Sequence, residues 1–290
     1  MVQKAFTHIG LFFLKLLALL PMSVLYFLAD GVYLLLYHVI GYRRKVAREN
    51  LQNVFPDKKL AEIIAIEKKF YRYLVSLMVE IVKMDSISEK EVQKRFKFKN
   101  LDLMEAYWQK NEGVLICTAH YGNWEWAGLS LGLTGSAQNY IIYKPLNNAT
   151  FEDWFYKVRT KFGNKAIAMR QTLRAVQGSK GEASVFCFAN DQAPSKDESH
   201  YWTTFLNQES SVQLGIEKIA KKTNRPVFYL KTRVIKRGYY EMDCVPICLE
   251  PANTAEYEIT ELHIRFLEKM IIEEPAYWLW SHRRWKYKRG

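Results

Sequence analysis

Five short apolar runs limit this chain's fold more than any other feature. They are Val114–Thr118, Asn139–Tyr143, Ser184–Ala189, Val227–Thr232 and Tyr240–Val245, each of strand length. Helical patterns lie between several of them, at Asn123–Leu133, Thr150–Phe162, Thr172–Gly178 and Val212–Lys222. Strands alternating with helices predict an α/β fold: a mixed, mostly parallel sheet flanked by helices. Reactive groups in such a sheet belong at the carboxyl ends of its strands. Upstream, Asp57 after Pro56 is placed to cap a helix. Its apolar stripe runs from Leu60 to Ile81 and includes Phe70, Leu74 and Met78, with Glu67 as its one polar member. That spacing reads as a core-facing helix, not a site.

The N-terminus adds a second constraint. From Ile9 to Ile40 the only charges are Lys15 and Asp30. The longest uncharged interval, Leu16 to Ala29, contains Pro21 and falls short of the ~18 residues of a spanning helix. No Ala-x-Ala-like cleavage site follows, so a secretory signal fits poorly. The pattern predicts a bent pair of apolar helices in or on a bilayer, with Lys15 reaching toward the interface. A helical hairpin buried on the protein's own core is the alternative. Arg43, Arg44, Lys45 and Arg48 follow at once, and that cluster places the remaining chain on the cytoplasmic side. The simplest division is a membrane-associated region at 1–45 and one catalytic domain at 46–290.

Composition narrows the partners. Hydrophobic residues make up 49% of the 290, so a sizeable core is available, and the formal charge is +12. A basic, aromatic-rich chain suits an anionic partner. The last stretch interleaves Arg283, Arg284, Lys286, Lys288 and Arg289 with Trp278, Trp280, Trp285 and Tyr287. No nucleic-acid-binding motif accompanies it, so nucleic acid is not expected. Basic and aromatic residues together also mark a membrane–water interface. The same charge suits an acidic protein or a phosphate, which makes Arg283 and Arg284 candidate substrate-binding residues. Cys117 and Cys187 lie in apolar runs, and Cys244 and Cys248 have no second Cys/His pair at zinc spacing. Buried reduced thiols, with no metal and no cofactor, are expected.

The stretch TAHYGNWEWAGLSLG, from Thr118 to Gly132, carries two catalytic spellings. Gly128-x-Ser130-x-Gly132 works as a nucleophile elbow only on a tight turn directly after a strand. Ser130 instead falls well inside a helical pattern, where small residues serve close packing. A serine esterase using Ser130 is therefore the weaker reading. His120 follows the end of the first apolar run, and Glu125 stands five residues on. With His120 in the strand-to-helix loop and Glu125 one turn into the helix, the carboxylate can orient the imidazole. That pair is the base half of a triad without an enzyme nucleophile. It suits proton removal from a substrate hydroxyl attacking an activated acyl carbonyl. Gly122 permits close approach to the backbone, and the amides opening the helix suit an oxyanion or phosphate.

The residues around this pair carry a resemblance. HYGNWE resembles the His-x4-Asp/Glu block of the lipid A biosynthesis acyltransferases, the lauroyl/myristoyl type within the lysophospholipid acyltransferase superfamily. ENLQNVFPDK, RTKFGNKAI, FANDQAP and EEPAYWLWSHRRWK are similar to further blocks of that family in the same order, from about residue 45 to 286. The resemblance implies a glycerol-3-phosphate acyltransferase-like α/β fold and an acyl carrier protein thioester as donor. It implies a phosphorylated glycolipid acceptor, a lipid A precursor of lipopolysaccharide biosynthesis, at the bacterial inner membrane. His120 becomes the general base and Glu125 its partner. Gly122, Asn123, Arg159, Asp191 and Gln192 become candidate substrate-binding positions, with Arg159 binding phosphate or holding the site closed and Asp191 supporting the site from a neighbouring strand end. Arg159 as a surface residue and Asp191 as a turn initiator beside Asn190 are the alternatives. One departure stands at Phe205-Leu206-Asn207, where the family often has Phe-Phe-Gly. Asn tolerates the left-handed conformation, so the turn is expected to survive. Rival readings are an acyltransferase for an aminolipid or lysophospholipid, the Ser130 esterase, and a basic membrane-binding protein with a structural histidine.

Overall fold

The computed structural model describes residues 2–289, with side chains described from residue 7 onward. Two N-terminal helices, α1 (Val2–Leu19) and α2 (Met22–Leu34), meet at Pro21. Proline lacks an N–H and cannot continue a helix from its own interior, so the chain bends there. A π-helical turn, Leu35–Ile40, extends α2 and stops at Gly41 in the left-handed region, φ 63°. Helices α3 (Arg44–Val54), α4 (Leu60–Lys83) and α5 (Glu89–Arg95) lead to strand β1 (Phe96–Lys99) and helix α6 (Asp102–Trp108). Then come β2 (Val114–Thr118), α7 (Trp124–Gly132), β3 (Gln138–Tyr143), α8 (Ala149–Thr160), β4 (Lys165–Ala168), α9 (Thr172–Gly178) and β5 (Ser184–Ala189). A hairpin, β6 (Tyr201–Phe205) and β7 (Gln208–Val212), precedes α10 (Gly215–Thr223), β8 (Val227–Lys236), β9 (Tyr239–Cys248) and α11 (Glu258–Glu273).

Seven strands form one sheet in the order β1-β9-β8-β2-β5-β3-β4. The five from β8 to β4 are parallel, while β9 runs antiparallel to β8 and β1 lies parallel to β9. The mixed, mostly parallel sheet read from the sequence is therefore the one observed. Its central strand shows why apolar runs signalled it. Leu115 and Cys117 of β2 face one core layer, and Val114 and Ile116 face the other. A strand covered on both faces has no polar positions to alternate with. Each such aliphatic side chain, fully buried, contributes about 1.5–3 kcal/mol.

The hairpin of α1 and α2 packs by one face only. Leu25 and Ala29 are buried, as are Tyr33 and Tyr37, and they join the core layers that contain the sheet. Helix α4 receives them, with Tyr37 Oη donating to buried Glu67 at 2.8 Å. Arg48 grips both oxygens of the same carboxylate, so Glu67 serves the fold. Leu60 and Met78, read as core-facing, are exposed instead. The opposite face of the hairpin is apolar and exposed, including Phe13 at 58%, Phe27 at 76% and Val39 at 76%. Met22–Ile40 is long and apolar enough to cross a membrane, by length and composition. Its one acid, Asp30, is paired with Arg237 at 2.9 Å.

Candidate active site

Strands β2 and β5 are neighbours, and their last paired residues are Thr118 and Ala189. His120 and Asp191 each stand two residues beyond that pair, so the register sets them side by side. Connections diverge here. From β2 the chain crosses through α7 to β3 on one side, and from β5 it returns through β6, β7 and α10 to β8 on the other. Such a divergence opens a crevice at the carboxyl edge of an α/β sheet.

His120 Nδ1 donates to Asp191 Oδ1 at 2.7 Å. An ionised carboxylate only accepts, so the imidazole proton sits on Nδ1 and Nε2 carries the lone pair. Nε2 has no hydrogen-bond partner among the described residues. The second oxygen of Asp191 accepts from Trp278 Nε1 at 2.9 Å, and both side chains are buried. Burial disfavours the charged imidazole, but the Asp191 charge and hydrogen bond outweigh it and raise the His120 pKa above its ordinary value. Burial also works against the Asp191 carboxylate. The hydrogen bonds and charge it meets hold its pKa well below the usual range nonetheless. The Trp124 ring lies edge-on to His120, with centroids 4.9 Å apart. No serine or cysteine side chain bonds to His120 among the described residues.

The carboxylate on His120 is thus Asp191, not Glu125 as the His-x4-Glu spacing led us to expect. Glu125 sits in the first turn of α7 and faces α8. There Arg159 Nε and Nη2 donate to its two oxygens at 2.8 and 2.5 Å. A bidentate guanidinium pair of this kind holds both groups more firmly than a hydrogen bond to a neutral imidazole would. The Arg159 guanidinium also stacks over Phe155, 4.8 Å from the ring centroid. Arg159 is accordingly half-buried at the site, not a free surface residue. The Glu125 charge still reaches His120 and adds to its raised pKa.

The other expected residues sort by burial. Asn123 caps α7: its Oδ1 accepts from Trp126 N at 2.9 Å, and its Nδ2 donates to Glu80 Oε2 at 2.6 Å. It is fully buried, so it positions the helix and cannot touch a ligand directly. Gly122 adopts φ +61°, and its N–H donates to Tyr277 O at 3.1 Å. A Cβ there would lie 2.5 Å from Thr232 Cγ2. Gly122→Ala therefore adds a left-handed penalty of about 1–2 kcal/mol to a clash. We expect a lowered melting temperature, partly recovered by Thr232→Ser, which removes the clashing methyl. Thermal melts of the two variants check this. Gln192 is half-buried beside Asp191.

Of the paired arginines, Arg283 is exposed and Arg284 is not. Arg284 points inward, donates from Nη2 to Ser211 O at 2.8 Å, and has its pKa lowered to about 10 by burial. It lines a void of about 10 Å³ with Asp191, Asn190, Tyr229 and His263, room for a single water. A substrate-binding role for Arg284 is overturned by that burial. What the sequence did not show is the part of this segment that contacts the site, Tyr277 to Leu279. Leu279 N donates to His120 O at 3.1 Å, and Tyr121 bridges Trp278 in antiparallel register. Ser130 is buried in α7 and donates to Ala127 O at 2.9 Å. No tight strand-to-helix turn presents it, so the esterase reading is corrected to helix packing. Leu206 and Asn207 form the β6–β7 turn at φ 51° and 63°, both left-handed.

An imidazole oriented by a buried carboxylate thus stands at the carboxyl edge of the sheet, with no serine or cysteine side chain bonded to it among the described residues. The chain belongs to the bacterial lipid A biosynthesis acyltransferase family, whose model matches residues 1–287. It is 27% identical to a lipid A biosynthesis palmitoleoyltransferase of Escherichia coli (strain K12), covering 97% of this chain and 90% of that protein. It is 22% identical to the lipid A biosynthesis lauroyltransferase of the same organism, covering 97% and 91%. A lipid A biosynthesis acyltransferase of Haemophilus influenzae (strain ATCC 51907 / DSM 11121 / KW20 / Rd) shares 22% identity over 94% of this chain and 85% of its own.

Proposed function

We propose that this acyltransferase moves a fatty acyl chain from acyl carrier protein to a hydroxyl of a lipid A precursor, at the cytoplasmic face of the bacterial inner membrane. The observation that carries the reading is the His120 imidazole, held through Nδ1 by Asp191 with Nε2 unpartnered at the switch point of the sheet. Nε2 takes the proton of the acceptor hydroxyl as its oxygen attacks the thioester carbonyl. The carbonyl electrons move onto oxygen, then return as the carbon–sulfur bond breaks. The departing thiolate takes the proton from the imidazolium, so His120 ends neutral. The N–H groups of Trp124 and Glu125 open α7 and lack intrahelical acceptors, which suits them to the transient oxyanion. Asp191 is the positioning carboxylate in this scheme. Glu125 and Arg159 act as a pair that shapes the acceptor side of the crevice. The exposed apolar face of α1 and α2 supports membrane association.

The test is direct transfer. The full chain is incubated with an acyl-loaded carrier protein and a phosphorylated diglucosamine lipid, and the products are weighed by mass spectrometry. The acceptor should gain one acyl chain, and Ser130→Ala should leave the yield within about twofold, since a buried packing hydroxyl contributes little to rate. If an aminolipid or lysophospholipid gains the chain while the glycolipid does not, the acceptor assignment is wrong. If no acceptor is modified, a basic membrane-binding protein with a structural histidine replaces the enzyme. Glu125→Gln separates the two carboxylates. We expect it to raise the acceptor KM more than it lowers kcat, because it breaks the Arg159 pair and leaves the His120–Asp191 bond in place.

A further inference from the structure

A cleft of about 1060 Å³ lies where the end of the α2 extension meets α3 and the C-terminal segment. Seven of its lining side chains are Lys or Arg, and only Glu49 and Glu209 are acidic. Part of that positive charge is already spoken for. Arg44 lies 3.6 Å from buried Glu67, Lys45 lies 3.9 Å from Glu49, and Arg289 lies 3.8 Å from Glu209. Arg43 donates to Ser281 O. Arg283, Lys286 and Lys288 are exposed and make no ion pair with any described residue. Trp285 and Tyr287 stand between them in the same lining. The rim begins at Gly41, directly after the exposed apolar residues Val39 and Ile40, and Tyr42 beside it is exposed as well. The apolar face of the hairpin and the basic cleft therefore share one corner of the molecule.

We propose that this cleft binds the phosphate headgroups of anionic phospholipid at the bilayer surface. The inference rests on the membrane reading of the hairpin given above and adds a polar half to it. When the apolar face enters the hydrocarbon edge, these three cations without ion pairs, Lys286 among them lying over the Tyr287 ring, stand at headgroup depth. Aromatic side chains between cations suit that layer, where an apolar ring and a polar edge are both satisfied. An acidic protein surface is the competing occupant. It has no need of a cleft that opens onto the apolar corner.

The full-length protein is bound to vesicles of phosphatidylcholine alone and to vesicles in which about one third is phosphatidylglycerol. The wild type should prefer the anionic vesicles. The triple variant Arg283→Gln/Lys286→Gln/Lys288→Gln should lose about a hundredfold of that preference, at about 1 kcal/mol per cation. It should bind the neutral vesicles as before, through the hairpin. A control triple of exposed lysines outside the cleft, Lys94→Gln/Lys97→Gln/Lys110→Gln, should keep the preference. Inorganic phosphate should compete better than chloride at matched ionic strength. The proposal is overturned if the cleft variant keeps its preference, if the control loses as much, or if the two anions displace alike. It is also overturned if the cleft variant keeps anionic vesicles but loses an acyl carrier protein, because the cleft is then a protein dock. A wild type that ignores both vesicle types removes the membrane reading itself.

Discussion

His120→Ala should remove the proposed general base and lower kcat by about 10²–10⁴, with the melting temperature little changed. The side chain is partly exposed and its one hydrogen bond goes to Asp191, so removal leaves a small hole at the crevice edge and not in the core. The acceptor KM should stay within a few-fold, because an interaction made chiefly in the transition state changes kcat and not ground-state binding. Steady-state kinetics on the purified variant, with a melt as the folding control, decides it. A variant with wild-type turnover would remove His120 from the chemistry and leave the His120–Glu125 block a structural loop.

Asp191→Asn is the second large effect, and its sign can be worked out. In the wild type His120 is useful as a base only when neutral, and Asp191 raises its pKa. Activity therefore climbs as pH passes a value above the ordinary imidazole midpoint of about 6.5. In the Asn variant burial still lowers the His120 pKa, and only the Glu125 charge remains to raise it. The acid limb of the rate profile should move to lower pH, while the plateau falls by roughly 10²–10⁴ because the amide no longer fixes the tautomer. Glu125→Gln should move the limb the same way but less, and should hold the plateau nearer wild type. An Asp191→Asn profile that keeps its midpoint would assign the orienting role elsewhere. Stability shows the same coupling. Asp191 has a depressed folded pKa, so its contribution is present above the ordinary carboxylate value of about 3.9 and is lost as pH falls below it.

The sheet was legible where strands are buried on both faces. Val114–Thr118 and Ser184–Ala189 were read with the observed bounds, because a run without polar positions admits little else. The edge strands were not. Phe96–Lys99 alternates phenylalanine with lysine over a single short stretch, and Lys165–Ala168 is short and begins with a lysine. The β6–β7 hairpin carries polar residues along most of its length and was read only at its turn. Of the site, His120 was legible from its place just past a strand. The resemblance gave Asp191 as support from a neighbouring strand end, but its direct bond to His120 was not legible, because it depends on β2 and β5 being neighbours, which no local pattern states. A signal existed in retrospect: both residues stand two positions past an apolar run. Arg284 misled for the opposite reason. Neighbours in a basic sequence look alike, and only packing decides which one faces in.

The bridge between Tyr121 and Trp278 has a consequence for how the protein matures. Nearly 160 residues separate the partners that hold the catalytic loop. During synthesis the imidazole leaves the ribosome long before the indole that steadies its carboxylate. On the mechanism proposed above, the centre is complete only once the segment around Trp278 has folded back onto it.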